Sequence, residues 1–199
     1  MSGEPVYAGF WRRFGALWVD LLFLMPVLLL TFWLLSLSRQ APLYLFIPNL
    51  VFSFWFNVLL VAKYGGTPGK LLLHTRITMV DGSPVTLKAA FLRYAIGFGL
   101  SIPGTLAIVL AALRMSDAEY FALTFVSRMQ RLAELAPAWY QPADWCMNLW
   151  TWSEFLTMMF NKRRRALHDF MAGTVVIRQW RSGYAPVNEA TATGAPPVA

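Results

Sequence analysis

The chain has 199 residues, of which 57% are hydrophobic and 14% charged, with a formal net charge of +7. Soluble domains are about half apolar and about a quarter charged, so a water-soluble globule of this size is excluded. The single cysteine, Cys146, rules out an intramolecular disulfide and any cysteine-built metal cage, and it reads as a packing residue.

Apolar residues are gathered in four blocks, 14–37, 43–62, 91–113 and 145–160, with nearly all the charge between them. A hydrocarbon core about 30 Å thick calls for about 20 apolar residues per helix. The first three blocks meet that; the fourth is shorter and contains Asn148 and Glu154. The predicted fold is therefore an all-α membrane protein, a four-span helical bundle in one domain over 8–180. The first block follows Arg12 and Arg13 as a secretory signal would. It is too long for one, and Ser36-Leu37-Ser38 leads into Arg39 and a second apolar block, so it is expected to be the first span.

Basic residues near span ends mark the cytoplasmic side. With the N-terminus inside, Arg39, Arg114, Arg128 and Arg131 are the four outer cations and the other 13 of the 17 are cytoplasmic. Both termini are thus expected in the cytoplasm, and the positive charge reads as anchoring on anionic lipid at that face, not as a nucleic-acid footprint. The Lys162-Arg165 run can bind anionic headgroups, but any stop at the inner end of a helix looks the same. Trp11, Trp18, Trp139, Trp145, Trp150 and Trp152 sit near the proposed span ends and fit an interfacial belt.

Residues 63–90 form a long cytoplasmic segment. Thr75–Val80 and Pro84–Leu87 flank Asp81-Gly82, a pair that favours a hairpin because glycine adopts positive φ without steric cost. A second β-branched run, Thr174–Arg178, is expected to meet this hairpin in a small juxtamembrane sheet, since a lone hairpin is marginal in water. Gly69-Lys70 is not a phosphate loop, because Tyr64 and Leu71 occupy the positions that require glycine and Ser or Thr.

Residues 114–143 are the outer connection between spans three and four. Ser116-Asp-Ala-Glu119 has the spacing of a capping box. Phe121, Phe125, Met129 and Leu132 recur at helical spacing, so an amphipathic outer helix is expected there. In the third span, Ala95, Gly97, Gly99, Ser101 and Gly104 predict close helix approach, with Pro103 a kink. The segment 182–199, rich in Ala, Pro, Thr and Gly, is expected to be a disordered tail.

Asp20 lies inside the first block, where a carboxylate costs several kcal/mol unless paired, hydrated or protonated. Arg13 precedes it by seven residues, which on a helix sets the two within about 20° of one face and roughly 10 Å apart. A third group from elsewhere would fill that gap. Asp20 and Glu154 are the candidate ion or proton sites, although a lipid-interface position explains Glu154 equally well.

Three motifs, Ala8-Gly-Phe-Trp-Arg-Arg13-Phe-Gly-Ala-Leu-Trp-Val-Asp20, Gly66-Thr-Pro-Gly-Lys-Leu-Leu72 and Arg165-Ala-Leu-His-Asp169-Phe-Met-Ala-Gly-Thr-Val-Val176, together resemble the RDD family of bacterial membrane proteins. The resemblance covers about 8–180. It implies a triad of Arg13, Asp20 and Asp169, with the choice of Arg13 over Arg12 resting on the spacing to Asp20. Gly69, Lys70, Arg93 and His168 stand beside the triad as supporting residues. An arginine between two carboxylates would make a self-consistent buried cluster, either an inner gate or a lock between the C-terminal segment and the first helix. The resemblance implies a multi-pass protein of the bacterial inner membrane without a cofactor, transporting an unidentified ligand or exchanging a cation for protons. A homo-oligomer is expected in that case. The competing expectation is an accessory or scaffold subunit with a membrane-protein partner. No nucleophile-base pair, metal cluster or phosphate loop in the sequence points to an enzyme.

Overall fold

The computed structural model describes residues 7–178, so the expected tail at 182–199 and Arg181 lie outside the described residues. The first helix, α1, runs Phe10–Leu37. It starts before the apolar block because Phe10–Arg13 already forms its first turn: hydropathy marks the hydrocarbon portion of a helix, not its ends. The second segment is α2, Ala41–Phe54, a π-helical turn, Trp55–Leu59, and α3, Leu60–Tyr64. Gly65 stops it at φ +78°, donating its N–H to Val61 O at 2.9 Å. Left-handed glycine is a common way to satisfy a helix's last carbonyls. A short helix, α4, Pro68–Leu72, follows and packs along α1.

The third long helix, α5, is Leu87–Arg114, begun by Thr86, whose hydroxyl accepts the Ala89 N–H at 3.1 Å. It continues through Pro103 as one helix. Among the described residues, three helical segments are long and apolar enough to cross a membrane, Phe10–Leu37, Ala41–Leu72 and Leu87–Arg114. The expected close approach along α5 is found at Gly97, where an added Cβ would lie 3.4 Å from Trp150 Nε1. At Gly99 and Gly104 such an atom would meet nothing within 4 Å, so these two do not serve that purpose.

The outer connection forms two helices where one was expected: α6, Asp117–Ala122, and α7, Phe125–Leu135. Ser116 caps α6 by accepting the Glu119 N–H at 3.1 Å, but the Glu119 carboxylate turns to Arg131 Nε at 2.7 Å instead of closing the capping box. Tyr120, Leu132 and Met115 pack with Ala111 and Ala112 at the end of α5. Phe121 and Phe125 remain half exposed, so the apolar stripe is only partly buried. The next helix, α8, spans Tyr140–Phe160 and packs on α5.

After α8 come a five-residue helix, α9, Leu167–Met171, and the strand β2, Thr174–Arg178. The strand β1, Thr75–Met79, pairs antiparallel with β2, setting Ile77 opposite Val176. This corrects the expected hairpin. The Asp81-Gly82 turn does form, with Gly82 at φ +86° and its N–H on Met79 O, but the return arm makes a single bridge, Thr78 to Pro84. Pro84 has no N–H for a ladder, and two residues later Thr86 is engaged in capping α5. Ile77 and Val176 are buried with Val58, Val61, Ala89 and Ala90, which fixes the sheet against the adjoining ends of α3 and α5. Of the six expected belt tryptophans, Trp150 departs from the pattern, being half-buried against Gly97, whereas Trp11, Trp18, Trp139, Trp145 and Trp152 are exposed.

Candidate functional site

The short helix α9 begins as Asp169 turns back on its own first turn: Asp169 Oδ2 accepts the Ala166 N–H at 3.0 Å, satisfying an amide that a helix start leaves free. The same oxygen accepts Arg13 Nη1 at 2.8 Å. The other oxygen accepts Arg93 Nη1 and, at 3.2 Å, the hydroxyl of Thr174. The carboxylate is fully buried, and Arg13 and Arg93 are 12% and 8% exposed. Burial alone would push the Asp169 carboxyl up, but Arg93, His168 and Arg13 outweigh it and hold it below the usual carboxylate range.

Both guanidinium groups make further hydrogen bonds. Arg13 donates from Nη2 to Arg164 O at 2.7 Å and from Nε to Ala8 O at 3.3 Å. Arg93 reaches Thr174 Oγ1 at 2.5 Å, and its Nη2 meets His168 Nε2 at 2.9 Å. Arg165 closes the outside of this knot, donating to Thr174 O and Asp169 O while its guanidinium lies over the Phe170 ring. The knot ties α1, α5, α9 and β2 together.

Asp20 does not join it. Its Oδ2 accepts the Thr67 hydroxyl at 2.5 Å and its Oδ1 accepts the Gly69 N–H at 2.7 Å. This corrects the expected arginine between two carboxylates: the arrangement is one carboxylate, Asp169, between two arginines, Arg13 and Arg93. Asp20 makes a separate dock for the Gly66–Leu72 motif. Gly69 is obligatory there, because a Cβ would collide with the Ala16 carbonyl and stand 2.7 Å from Asp20 N. Lys70 donates to Thr67 Oγ1 at 3.3 Å.

Glu154, on α8, binds α9: its Oε1 accepts the His168 N–H at 3.0 Å, and its Oε2 lies 2.5 Å from His168 Nδ1. That second contact has ion-pair distance without hydrogen-bond geometry, leaving Oε2 buried and unsatisfied. Burial, reinforced by Arg93, lowers the His168 pKa against the opposing pull of Glu154 and Asp169.

These groups ring the end of a cavity of about 620 Å³. Arg13, Asp20, Lys70, Arg93, Glu154 and His168 line its charged end, and Phe14, Leu17, Leu21, Phe56, Met147 and Trp150 are among its apolar walls. The cavity lies between α1 and α8, whose main packing partners are α4 and α2 for the first and α5 and α9 for the second. A π-helical turn, often found at functional sites, brings Phe56 and Asn57 to the wall. A smaller cavity of about 270 Å³ shares Leu24, Phe56 and Asn57 with it and adds Thr31, Asn49 and Ser53.

The model of the RDD family matches residues 7–173. The chain belongs to the RDD family. It is similar to the uncharacterized protein YckC of Bacillus subtilis (strain 168), 34% identical over 110 residues that cover 51% of this chain and 71% of that one. No solved structure matches it. Family membership and the three apolar helices make this RDD protein a multi-pass membrane protein.

All seven of the expected triad and supporting residues of this RDD protein, and Glu154, lie in or beside one region, but they divide into the Asp169 knot, the Asp20 dock and the Glu154–His168 pair. The partner role of Arg93 was readable in principle: it is an ionisable residue two positions inside an apolar block, the same signal that singled out Asp20. Thr67, Thr174 and Asn57 carry no such signal, since hydroxyl and amide residues are tolerated almost anywhere in loops and membrane helices.

Proposed function

We propose that this RDD protein moves a ligand across the bacterial inner membrane in exchange for protons, through the cavity between α1 and α8. The observation that carries this reading is the cavity itself, apolar along its length and ringed by six ionisable side chains at one end. Intramembrane ionisable residues that face an internal cavity mark substrate and proton pathways. Glu154 and His168 are the proton-exchanging pair: one carboxylate oxygen is held and the other waits beside an imidazole whose neutral form is favoured. Asp20, bonded to Thr67 and Gly69, positions α4.

The topology that goes with this reading has α8 as a fourth span. Its 21 residues reach about 31 Å at 1.5 Å per residue, matching the hydrocarbon core, and its Glu154 turns to α9. The charged end of the cavity and both termini are then cytoplasmic, in keeping with the distribution of Lys and Arg.

Proteoliposomes loaded with a pH-sensitive dye test the reading. Imposed sodium or potassium gradients, or a total bacterial lipid extract as ligand source, are expected to give proton flux above empty vesicles. Glu154→Gln should remove it while the variant keeps the wild-type elution profile in detergent. Equal flux in wild type and variant would refute the assignment. The saturation of Asp169 favours a second reading, an accessory subunit in which the knot is purely architectural. That reading gains if wild-type vesicles are inert and the protein co-purifies stoichiometrically with another membrane protein.

A further inference from the structure

We propose that the ligand of the α1–α8 cavity is a phospholipid with a primary-amine headgroup, entering sideways from the bilayer. The inference rests on the reading of this cavity as a ligand site and adds the chemical class of the ligand. Three observations lead to it.

Size and wall come first. A cavity of about 620 Å³ is in the range that holds organic ligands, far beyond what a bare ion fills. Phe14, Leu17, Leu21, Leu24 and Phe155 offer only apolar contact, so the ligand has an apolar body.

Access comes second. Phe14 and Leu17 line the cavity and yet are 39% and 58% exposed, which means that the wall formed by α1 is open on its flank. In a bilayer that flank faces acyl chains, and the route in is lateral.

Charge is the third. The charged end carries Arg13, Lys70 and Arg93 against Asp20 and Glu154, with the buried Asp169 behind Arg13 and Arg93 as the third carboxylate, and this balance favours a ligand of zero net charge over a net anion or cation. Most of these charges are already engaged. Both oxygens of Asp20 and both of Asp169 hold donors, and both guanidinium groups are tied to Asp169 and to backbone carbonyls or side chains. Two of the lining groups have unused capacity that suits a headgroup. Lys70 Nζ has three protons and one hydrogen bond, to Thr67 Oγ1, and Glu154 Oε2 is buried without one. A cation with spare donors and a carboxylate oxygen without a hydrogen bond, at the end of an apolar cavity, match a phosphate and an ammonium on one amphipath. Lys70 takes the phosphate, Glu154 takes the N–H of the amine, and the acyl chains lie along α1 and α8.

Full-length protein in detergent micelles, titrated with single lipids and read by native mass spectrometry, tests this without any transport assay. Phosphatidylethanolamine is expected to bind about tenfold tighter than phosphatidylcholine, whose quaternary ammonium has no N–H to give to Glu154, and tighter than phosphatidylglycerol, which has no cation. Glu154→Gln should abolish the preference over phosphatidylcholine, and Lys70→Gln should weaken both lipids about equally. Leu21→Trp, which fills the cavity without touching its charged end, should reduce bound lipid of every class. Equal binding of the three lipids, or a preference unchanged in Glu154→Gln, would overturn the proposal. So would competition by soluble phosphoethanolamine at the lipid's own concentration, which would assign the site to a free headgroup. Selective lipid binding without proton flux would refute the exchange reading and keep this one; proton flux without lipid selectivity would do the reverse.

Discussion

Asp169→Asn is the sharpest test of how the motifs hold together. The substitution keeps the size of the side chain and removes its charge from a point where two guanidinium groups, a hydroxyl and a backbone amide converge. It also replaces one acceptor oxygen with an NH2 that faces donors. Removing one partner from a buried ion pair costs about 3–5 kcal/mol, because the charge left behind stays buried. Arg13 and Arg93, at 12% and 8% exposure, cannot swing to water without dismantling α1 or α5. For a chain of this length each kcal/mol moves the midpoint by about 2–4 °C, so the thermal unfolding midpoint in detergent, followed by tryptophan fluorescence, should fall by about 6–20 °C. Arg93→Met in the Asp169→Asn background removes one uncompensated cation and should recover at least ~1 kcal/mol relative to additivity. A midpoint within 2 °C of wild type, or additivity within about 0.5 kcal/mol, would refute the claim that Asp169 is the electrostatic centre of the fold.

The Asp20 dock should respond more mildly: Asp20→Asn keeps an acceptor for the Gly69 N–H and a donor for Thr67 Oγ1 and should cost about 1 kcal/mol, whereas Asp20→Ala strands both groups and should cost about 2–4 kcal/mol in the same unfolding assay. Gly69→Ala forces a methyl into the Ala16 carbonyl and should destabilise by about 1–3 kcal/mol or more, with Gly66→Ala, whose added Cβ would meet Lys70 Cβ at 3.3 Å, the milder control. Acid should act in two stages. The folded state disfavours protonated His168, so the unfolded chain binds more protons once pH falls below 6.5, and stability declines from there toward the lower folded pKa. Asp169 stays ionised in the folded protein, so its contribution is lost only as pH falls below 3.8. Midpoints measured from pH 8 to 3 should show both declines, and His168→Gln should erase the upper one alone.

Much of this architecture was legible because it follows from one-dimensional rules. Apolar blocks located α1, the α2–α3 segment and α5 to within a few residues, and β-branched runs located both strands. What was not legible is pairing. The sequence of Asp81-Gly82 supports a hairpin, and the turn is there, yet β1 gives its ladder to a strand about 100 residues away because Pro84 cannot donate and Thr86 is needed as a cap. The seven-residue spacing of Arg13 and Asp20 correctly implied a shared helix face with a gap between them. It could not reveal that the gap separates two different docks, one for Thr67 and Gly69 and one for Asp169, because each is closed by residues from distant segments.

The two aspartates of the triad therefore do the same kind of work at two levels of the first helix. Asp169 joins the last described segment to the start of α1, and Asp20, seven residues further along than Arg13, joins the Gly66–Leu72 motif to its next turns. Both oxygens of each carboxylate hold donors, so freeing one would first loosen the joint it makes. On the proposed function, the chemistry falls to the neighbours that these joints hold in place. Lys70 follows directly on Gly69, and His168 directly precedes Asp169, so each lock fixes the backbone of one cavity-lining group to within a residue. Loosening either lock should thus alter ligand binding through Lys70 or His168 before it unfolds the bundle. Asp20→Asn, which is expected to fold, is the variant in which lipid affinity should change while the thermal midpoint falls by only about 2–4 °C.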